Sequence, residues 1–336
     1  MESVGLRVLF LPKVVRSAAA AAAGLLVLAS VSCGSDESPG DALASTSGSF
    51  PITIEHEFGA TTITEKPERV VTLGVTDADA VIALGTIPVG NTGFVFYENG
   101  LGPWTEDEVG DADLTRIASD SQPNLEQIAE LAPDLILGIS AGFDEAVYDK
   151  LDAIAPTVAR PAGTAAYTVD RAVATETIAT ALGEAERGME LNRQTEELLE
   201  STRANHPEFA ERTGVVVLAS DVQYSAFLPG DARGQFLTSL GFSVPEAITE
   251  HDTGDSFYVP VSAENVAMLD ADAILYLSDD EDVDVVAENP LFGTLEAGRK
   301  DAIVTTSLDE RGAISYNSVL SIPYAIDSVV PRLAGS

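Results

Sequence analysis

Three histidines and one cysteine are the side chains of this sequence best suited to bind a transition metal, and their arrangement predicts no such site. His56 lies in a predicted strand, His206 at a predicted helix end and His251 in a polar loop, without the spacing of metal ligands. Cys33 is the only cysteine, so no disulfide can form within the chain. The motifs of serine hydrolases and phosphate-binding loops are absent from the sequence. These residues give no argument for an enzyme and favour a binding protein.

A repeated segment is the most informative pattern in the sequence. Residues 124–140 and 262–278 share seven of their seventeen positions. Each copy opens with a helix-capping residue, Asn124 or Ser262, and continues with apolar residues at helical spacing. Each then ends in a short apolar run that is typical of a buried parallel strand. The repeat predicts two similar α/β lobes.

Both copies of the repeat carry a glutamate, Glu126 and Glu264, two places into the predicted helix. A carboxylate there interacts favourably with the helix dipole, by about 0.3–1 kcal/mol, and this effect alone could explain it. The matched placement in two lobes makes a functional role the alternative.

Length and charge narrow the function further. With 336 residues the chain can form two domains, each large enough to bury a core. The formal net charge of −36 is spread along the sequence rather than confined to a tail. Such a surface repels nucleic acid, so we expect no nucleic-acid partner.

The first 33 residues have the composition of an export signal. Basic Arg7, Lys13 and Arg16 precede an alanine- and leucine-rich stretch, which is too short to span a membrane stably and ends in small residues before Cys33. The run from Ser30 to Cys33 resembles a bacterial lipobox, which predicts that Cys33 becomes lipid-modified. The alternative is an ordinary secretory signal with an incidental cysteine. The small polar residues 34–49 predict a flexible tether.

The remaining sequence predicts three parts. Residues 50–167 form an N-terminal α/β lobe, which includes an aromatic, glycine-rich loop at 90–110. Residues 168–206 are nearly free of helix breakers and predict one long bridging helix, with Gly183 and Gly188 as the positions at which it could be interrupted. Residues 207–336 form a C-terminal α/β lobe.

Four segments within residues 50–334 follow the pattern of a known family, in the order ITIEHEFGATTITEKPERVVTLG, NLEQIAELAPDLILG, SAENVAMLDADAILYL and SYNSVLSIPYAIDSVVPRLA. They carry a resemblance to the iron–siderophore solute-binding proteins of ABC importers, a family that also includes haem- and cobalamin-binding members. It implies an α/β fold of two lobes joined by a single long helix, with the ligand cleft between the lobes. It also implies a ferric siderophore as ligand, an ABC permease dimer as partner, and a location outside the cytoplasmic membrane. Iron would arrive within the ligand, so we expect no resident cofactor or metal site.

Ligands of two-lobed α/β proteins meet the loops that follow strands. An aromatic side chain could pack on a ferric hydroxamate or similar ligand, and an arginine could donate to iron-bound oxygens. Ordinary packing is the alternative for each aromatic, and Arg311 could instead pair with Glu310. Arg233 is favoured because basic residues are scarce. The predicted ligand-binding residues are Phe94, Tyr97, Trp104, Tyr224, Arg233, Phe257, Tyr258, Arg311 and Tyr316.

The family resemblance gives the two glutamates of the repeat a role. In that family one glutamate on each lobe docks onto arginines of the two permease subunits, and Glu126 and Glu264 match those positions. Two alternatives to a siderophore-binding protein remain: a haem- or cobalamin-binding protein of the same fold, and a non-transport envelope protein.

Overall fold

The computed structural model describes residues 48–220, 223–254 and 256–335. These residues form two five-stranded sheets, each covered by helices, and one antiparallel hairpin. The predicted signal peptide at 1–33, with Cys33, and the tether residues up to 47 lie outside the described residues. Among the described helices, none has the length and hydropathy needed to cross a membrane.

The N-terminal lobe begins with the hairpin β1–β2 and continues as a fully parallel sheet in the order β5-β4-β3-β6-β7. Its strands are β1 (Ile52–His56), β2 (Gly59–Ile63), β3 (Val70–Thr72), β4 (Gly90–Asn91), β5 (Thr115–Arg116), β6 (Leu135–Gly138) and β7 (Thr157–Ala159). Its helices are α1 (Asp77–Ala83), α2 (Glu106–Val109), α3 (Leu125–Glu130), α4 (Glu145–Asp152) and α5 (Arg171–Ala181), and a 3₁₀ turn spans Pro103–Thr105.

Burial on both faces explains the apolar strands of this lobe. Strand β6 reads LILG and is buried throughout, as expected for a strand between two helical layers. Val81 of α1 and Ile178 of α5 pack on one face of the sheet. Ile128 of α3 and Leu151 of α4 pack on the other. The lobe is therefore a three-layer α/β sandwich.

The predicted bridging helix over 168–206 is not continuous: the segment forms two helices, and the break falls at Gly183, one of the two positions where the sequence allowed an interruption. Helix α5 ends before Gly183, which adopts a left-handed φ of 72°, and α6 (Ala185–Asn205) begins after it. The two helices pack against each other, and a Cβ at Gly188 would lie 2.3 Å from the Cβ of Ala179. Helix α5 belongs to the N-terminal lobe through its core residues, including Ile178. The break is a reversal of the chain at Gly183, and the sequence indicated the position but not that the two helices would pack against each other.

Helix α6 is the single long connection between the lobes. It has 21 residues, about 30 Å at 1.5 Å per residue. Near its beginning Gly188 packs on α5, and near its end Leu199 joins the core of the C-terminal lobe. Arg203 then donates to the carbonyl of Ser239 over 2.7 Å. The predicted fold of two α/β lobes joined by one long helix is confirmed.

The C-terminal lobe is a mixed sheet in the order β10-β9-β8-β11-β12, in which β8, β11 and β12 are parallel and β9 is antiparallel to both of its neighbours. Its strands are β8 (Gly214–Ala219), β9 (Gln223–Phe227), β10 (Tyr258–Ser262), β11 (Ala273–Leu277) and β12 (Ile303–Thr305). Its α-helices are α7 (Ala232–Ser239), α8 (Glu246–Thr249), α9 (Val285–Glu288), α10 (Glu296–Arg299), α11 (Leu308–Tyr316) and α12 (Ser321–Ala334). Three 3₁₀ turns span Pro207–Glu211, Val266–Leu269 and Pro290–Thr294.

The sequence repeat corresponds to equivalent positions in the two sheets. Its apolar runs form β6 and β11, each the fourth strand in the order of its sheet. The aspartate before each run fixes the neighbouring strand: Asp134 accepts from the backbone N–H of Arg69 over 2.9 Å, and Asp272 accepts from that of Thr213 over 2.9 Å. The shared aspartate is thus a structural element of each lobe.

The helical half of the repeat is formed in the first copy only. Asn124 caps α3 by accepting from the backbone N–H groups of Glu126 and Gln127. Ser262 caps no helix, because it pairs with Gln223 as the last residue of β10. The chain then continues into a single 3₁₀ turn at Val266–Leu269 rather than into an α-helix. The prediction of a second capped helix is therefore wrong.

Candidate functional site

A cleft of about 410 Å³ lies between the two lobes. This volume falls in the range of roughly 300–1,000 Å³ that is usual for small-molecule sites. In the N-terminal lobe its wall follows strands β3, β4 and β6 and the start of α5. In the C-terminal lobe it comes from the start of α7, residue 257 and the turn between α11 and α12. The principal polar and aromatic lining residues are Thr76, Asp77, Phe94, Ser140, Tyr167, Asp170, Arg171, Asp231, Arg233, Gln235, Phe257, Tyr316, Asn317 and Ser318.

The first residue of α1 ties this helix to the end of β6. Asp77 accepts from the backbone N–H of Ile139 over 2.7 Å and from that of Ser140 over 3.0 Å. The hydroxyl of Ser140 also donates to Asp77. Burial raises the pKa of Asp77, and these hydrogen bonds oppose that effect. The N-terminal wall is thus fixed by a buried carboxylate rather than by a mobile loop.

A second part of the N-terminal wall is the start of α5. Asp170 caps this helix by accepting from the backbone N–H groups of Ala172 and Val173, over 2.8 and 3.2 Å. Arg171 follows directly, and its Nη1 is buried without a hydrogen-bond partner among the described residues. Burial lowers the pKa of its guanidinium, and the nearby carboxylates of Asp170 and Glu196 oppose this. An unpaired buried donor costs about 1–3 kcal/mol, so the guanidinium of Arg171 has donor capacity that the protein itself leaves unused.

The opposite wall holds the second arginine of the cleft. Arg233 forms a two-pronged ion pair with Asp231, with Nε–Oδ1 and Nη2–Oδ2 distances of 2.7 and 2.8 Å. Its guanidinium also lies over the ring of Phe227, 3.9 Å from the centroid. Asp231 additionally accepts from the Arg233 backbone N–H and so caps α7. Arg233 is therefore held rigidly, with part of its donor capacity already used.

Tyr316 joins the two lobes at one end of the cleft. It lies at the end of α11, is buried, and donates its hydroxyl to the carbonyl of Gly100 in the N-terminal lobe. The same hydroxyl accepts from the backbone N–H of Phe94 over 3.0 Å. The two rings meet edge to face with centroids 4.5 Å apart. Phe94 and Tyr316 thus form part of the cleft wall and part of the lobe contact together.

Four of the nine predicted ligand-binding residues line the cleft: Phe94, Arg233, Phe257 and Tyr316. Phe257 is 41% exposed, which leaves its ring available to a ligand. The four come from both lobes and lie far apart in sequence, so the structure brings together residues that the sequence grouped only by their chemistry and their predicted positions after strands.

Two further predicted residues lie in the contact between the lobes rather than in the cleft lining. Trp104 donates its indole N–H to the buried Asp79 over 2.7 Å and packs on the core of the C-terminal lobe. Tyr97 meets Trp104 edge to face and closely approaches Gly312 of α11. Tyr97 and Trp104 both belong to the aromatic loop, and both hold the lobes together because α11 and α12 cover them.

The other three predicted residues are elements of the C-terminal lobe itself. Tyr224 lies in β9, packs edge to face on Phe292 and accepts from the amide of Asn289 over 3.2 Å. Tyr258 begins β10, and its ring faces the edge of Phe227. Neither follows a strand, as the prediction assumed, because both lie within one.

Arg311 is the third of these residues, and the alternative prediction that it pairs with Glu310 is also wrong. Its guanidinium pairs with Asp279 and lies 4.6 Å from the ring centroid of Phe96 in the N-terminal lobe. Glu310 pairs with Arg332 instead and completes a capping box with Ser307 at the start of α11.

Sequence reasoning missed Arg171 and the aspartates of the cleft. The prediction placed Arg171 within the bridging helix and expected cleft residues only on loops after strands, whereas Arg171 is the first residue of α5 and lines the cleft. The scarcity of basic residues that singled out Arg233 applies equally to Arg171. Asp170 is a preferred helix-capping residue and is therefore also a helix-start signal.

Both glutamates of the repeat are exposed. Glu126 stands in the first turn of α3, and Glu264 stands in the turn between β10 and the 3₁₀ segment. Neither carboxylate forms an ion pair with another residue in the described parts of the chain. Glu264 has no α-helix beneath it, so the helix-dipole explanation applies to Glu126 alone.

The histidines His56 and His206 have partners within the protein that are not metal ions. His56 is buried and shares a hydrogen bond of 2.9 Å with the hydroxyl of Thr61. His206 follows α6 and lies 3.1 Å from a carboxylate oxygen of Glu208. Within the described ranges, no group of three or more His, Cys, Asp or Glu side chains is placed to hold a metal ion.

A family model agrees with this architecture. The model for the periplasmic binding protein family matches residues 70–309, from β3 to the start of α11. The chain belongs to the periplasmic binding protein family. The match includes the residues of both lobes that carry the sequence repeat.

Individual relatives support the same assignment for this periplasmic binding protein. It is 30% identical over 262 residues to the Fe(3+)-citrate-binding protein YfmC of Bacillus subtilis, covering 76% of this chain and 78% of the relative. It is 28% identical to the probable siderophore-binding lipoprotein YfiY of the same organism, covering 76% of each. The crystal structure of PiaA from Streptococcus pneumoniae in complex with ferrichrome superposes with a TM-score of 0.71 at 28% identity, covering 84% of this chain and 98% of that one.

Proposed function

We propose that this periplasmic binding protein captures a ferric siderophore outside the cytoplasm and delivers it to the permease of an ABC importer. One observation carries the proposal: a cleft of about 410 Å³ between the lobes, lined by aromatic rings and two arginines. The names of relatives that bind ferric citrate or siderophores, and the ferrichrome complex of PiaA, support this ligand class. Binding, rather than catalysis, is the activity of the family.

The cleft walls provide two kinds of ligand contact. Phe94, Phe257 and Tyr316 offer ring surface to the apolar backbone of a siderophore. Arg171 and Arg233 offer N–H donors to oxygens that coordinate the iron. In this arrangement the iron arrives already coordinated, and the protein needs no resident cofactor or metal site.

Delivery requires a surface that the permease can recognise on both lobes. Glu126 and Glu264 are exposed, and neither is engaged in an ion pair among the described residues. One carboxylate on each lobe suits the two subunits of a permease dimer, whose arginines would bind them. Charges of this kind set orientation and association rate more than affinity.

The proposed location is the outer face of the cytoplasmic membrane, with the protein held by a lipid on Cys33. The basic and apolar signal that ends at Cys33 supports this, as does the word lipoprotein in the name of YfiY. Acyl chains contribute about 0.8 kcal/mol per buried methylene, and stable anchoring needs more than one chain. Replacement of Cys33 by Ala should release the protein from the membrane fraction, and equal retention would refute the anchor.

Titration of the purified protein with ferrichrome, iron-free ferrichrome, haem and cyanocobalamin tests the proposed function. We expect saturable binding of the ferric complex and much weaker binding of the other three. Preferential binding of haem or cyanocobalamin would replace the siderophore by another ligand of the same fold. If none of the four binds, the result favours a non-transport envelope protein over a siderophore-binding protein.

A further inference from the structure

The charged side chains that line the cleft give it no surplus of positive charge. Its lining contains two arginines, Arg171 and Arg233, and three aspartates, Asp77, Asp170 and Asp231. Two positive charges thus face three carboxylates. A cleft built to attract a polyanion would instead present a surplus of cations.

Arg233 carries its own counter-ion. Both oxygens of Asp231 bind its guanidinium, and the Asp231 side chain is only 9% exposed. Because the pair is largely buried, salt screens it little. A ligand that meets Arg233 therefore meets a neutral pair with some free N–H groups rather than an isolated positive charge.

Arg171 is balanced in a similar way. Asp170 precedes it in the sequence, and both Asp170 and Glu196 stabilise its positive charge. Its buried Nη1 still lacks a hydrogen-bond partner within the described structure. Arg171 thus lines the cleft with its charge compensated and adds no net positive charge to it.

The helix ends at the cleft offer no separate anion site. Helices α5 and α7 both begin there, and free N–H groups at a helix start favour an anion. In α5 the carboxylate of Asp170 already accepts from two of these groups, and in α7 that of Asp231 accepts from one. Aspartate therefore occupies the position that a negatively charged ligand would take at each end.

We propose that Asp170 and Asp231 act as specificity-determining residues, which make the cleft select ferric complexes without net charge over anionic ones. Three hydroxamates, each with one negative charge, neutralise Fe³⁺, whereas three catecholates leave a charge of three minus. The net charge of −36 on the whole chain acts in the same direction. Its effect is secondary, because the Debye length at physiological salt is only about 8 Å. This inference rests on the proposed function and narrows its ligand class to ferric trihydroxamates.

The test compares three ferric complexes by titration of the full chain in detergent. Ferrichrome is the neutral probe, and ferric enterobactin and ferric citrate are anionic probes of different shape. We expect ferrichrome to bind at least tenfold more tightly than either anionic complex, on the order expected for one uncompensated charge contact. Tighter binding of either anionic complex would overturn the inference and leave the proposed function intact. If no ferric complex binds, the proposed function itself fails.

Charge variants assign the selection to the two aspartates. Asn remains a good helix cap, so Asp231→Asn and Asp170→Asn should fold while each removes one negative charge. Each should shift the affinity ratio of ferric enterobactin to ferrichrome upward, by roughly tenfold. Asp144→Asn is the matched control, because Asp144 caps α4 in the same manner and does not line the cleft. An unchanged ratio in both cleft variants, or an equal shift in the control, would overturn the role of these residues.

Discussion

Trp104 donates its indole N–H to Oδ2 of Asp79 over 2.7 Å, and the same oxygen accepts from the hydroxyl of Ser318 in the other lobe. Asp79 lies in α1 and is fully buried, and its second oxygen has no hydrogen-bond partner among the described residues. One carboxylate thus holds together the aromatic loop, the first helix and the start of the last helical hairpin. The lobe contact contains a titratable group in its interior.

Asp79 predicts a pH dependence of stability. Burial raises its pKa from 3.8 to about 7, against the opposing effect of its two hydrogen bonds. The folded state therefore binds the proton more tightly than the unfolded state. Its contribution to stability is full below pH 3.8 and is lost as the pH rises to about 7. The side chain of Asp79→Asn cannot ionise. The thermal midpoint of this variant should therefore increase relative to that of the parent as the pH rises.

Thermal midpoints at about pH 5 and about pH 8 measure this difference, since the window of titration lies mainly between them. The control is Asp107→Asn, which removes an exposed carboxylate in α2. Parallel curves for the parent and Asp79→Asn would show that Asp79 does not titrate in this window.

Gly312 predicts an energetic coupling across the lobes. A Cβ at this position would lie 2.1 Å from the hydroxyl oxygen of Tyr97 and 3.0 Å from its Cζ. Gly312→Ala should lower the free energy of unfolding by about 1–3 kcal/mol, because the ring must move. In a Tyr97→Phe background the penalty should be smaller, since the closest atom is gone.

A double-mutant cycle by chemical denaturation gives the coupling, for which we expect about 0.5–3 kcal/mol. Gly298→Ala replaces Gly312→Ala in a control cycle with Tyr97→Phe. Its Cβ would meet the backbone carbonyl of Phe292 rather than Tyr97, so these two effects should add. Additive effects of Gly312→Ala and Tyr97→Phe would mean that the two positions do not touch in solution.

The two cleft arginines should respond differently to truncation. Arg171→Ala removes an unpaired donor, so it should weaken ferrichrome binding by roughly tenfold to a hundredfold with little change in thermal midpoint. Arg233→Ala should weaken binding and also lower the midpoint, because Asp231 would remain buried without its partner. Titration and thermal unfolding of both variants separate the two outcomes. Arg193→Ala, on the exposed face of α6, should change neither. Ferrichrome affinity equal to that of the parent in both cleft variants would place the ligand elsewhere.

The exposed glutamates predict a transport defect without a binding defect. The double variant Glu126→Ala, Glu264→Ala should bind the ferric siderophore normally, because neither residue lines the cleft. Uptake of radioactive iron by cells should fall sharply, because the permease loses both contacts. Glu145→Ala combined with Glu250→Ala is a control with one exposed glutamate from each lobe. Parental uptake in the first double variant would restrict these residues to a structural role.

The sequence repeat predicted the two lobes because each copy encodes the same buried strand and the same bracing aspartate. It could not predict that Ser262 ends a strand, since that depends on pairing with Gln223. Glycine at 183 marked a possible break in the bridging helix, but it could not show that the chain reverses there, which the packing of α5 on the N-terminal lobe determines.

The division of the aromatic residues was beyond the sequence for a similar reason. Phe94 and Trp104 lie in one loop, but Phe94 lines the cleft and Trp104 packs in the contact between the lobes. Contacts with residues more than 200 positions away cause this difference. Arg233 was identified from the scarcity of basic residues, whereas Arg171 was overlooked because cleft residues were expected only on loops after strands.

The position of iron in the complex tests the central claim most directly. Crystals of the protein with ferrichrome, measured at the iron absorption edge, would locate the metal by its anomalous signal. We predict one strong peak in the cleft between Arg171 and Arg233, within reach of Phe94 and Tyr316. A peak outside the cleft, or none in crystals of a protein that binds ferrichrome in solution, would contradict the account.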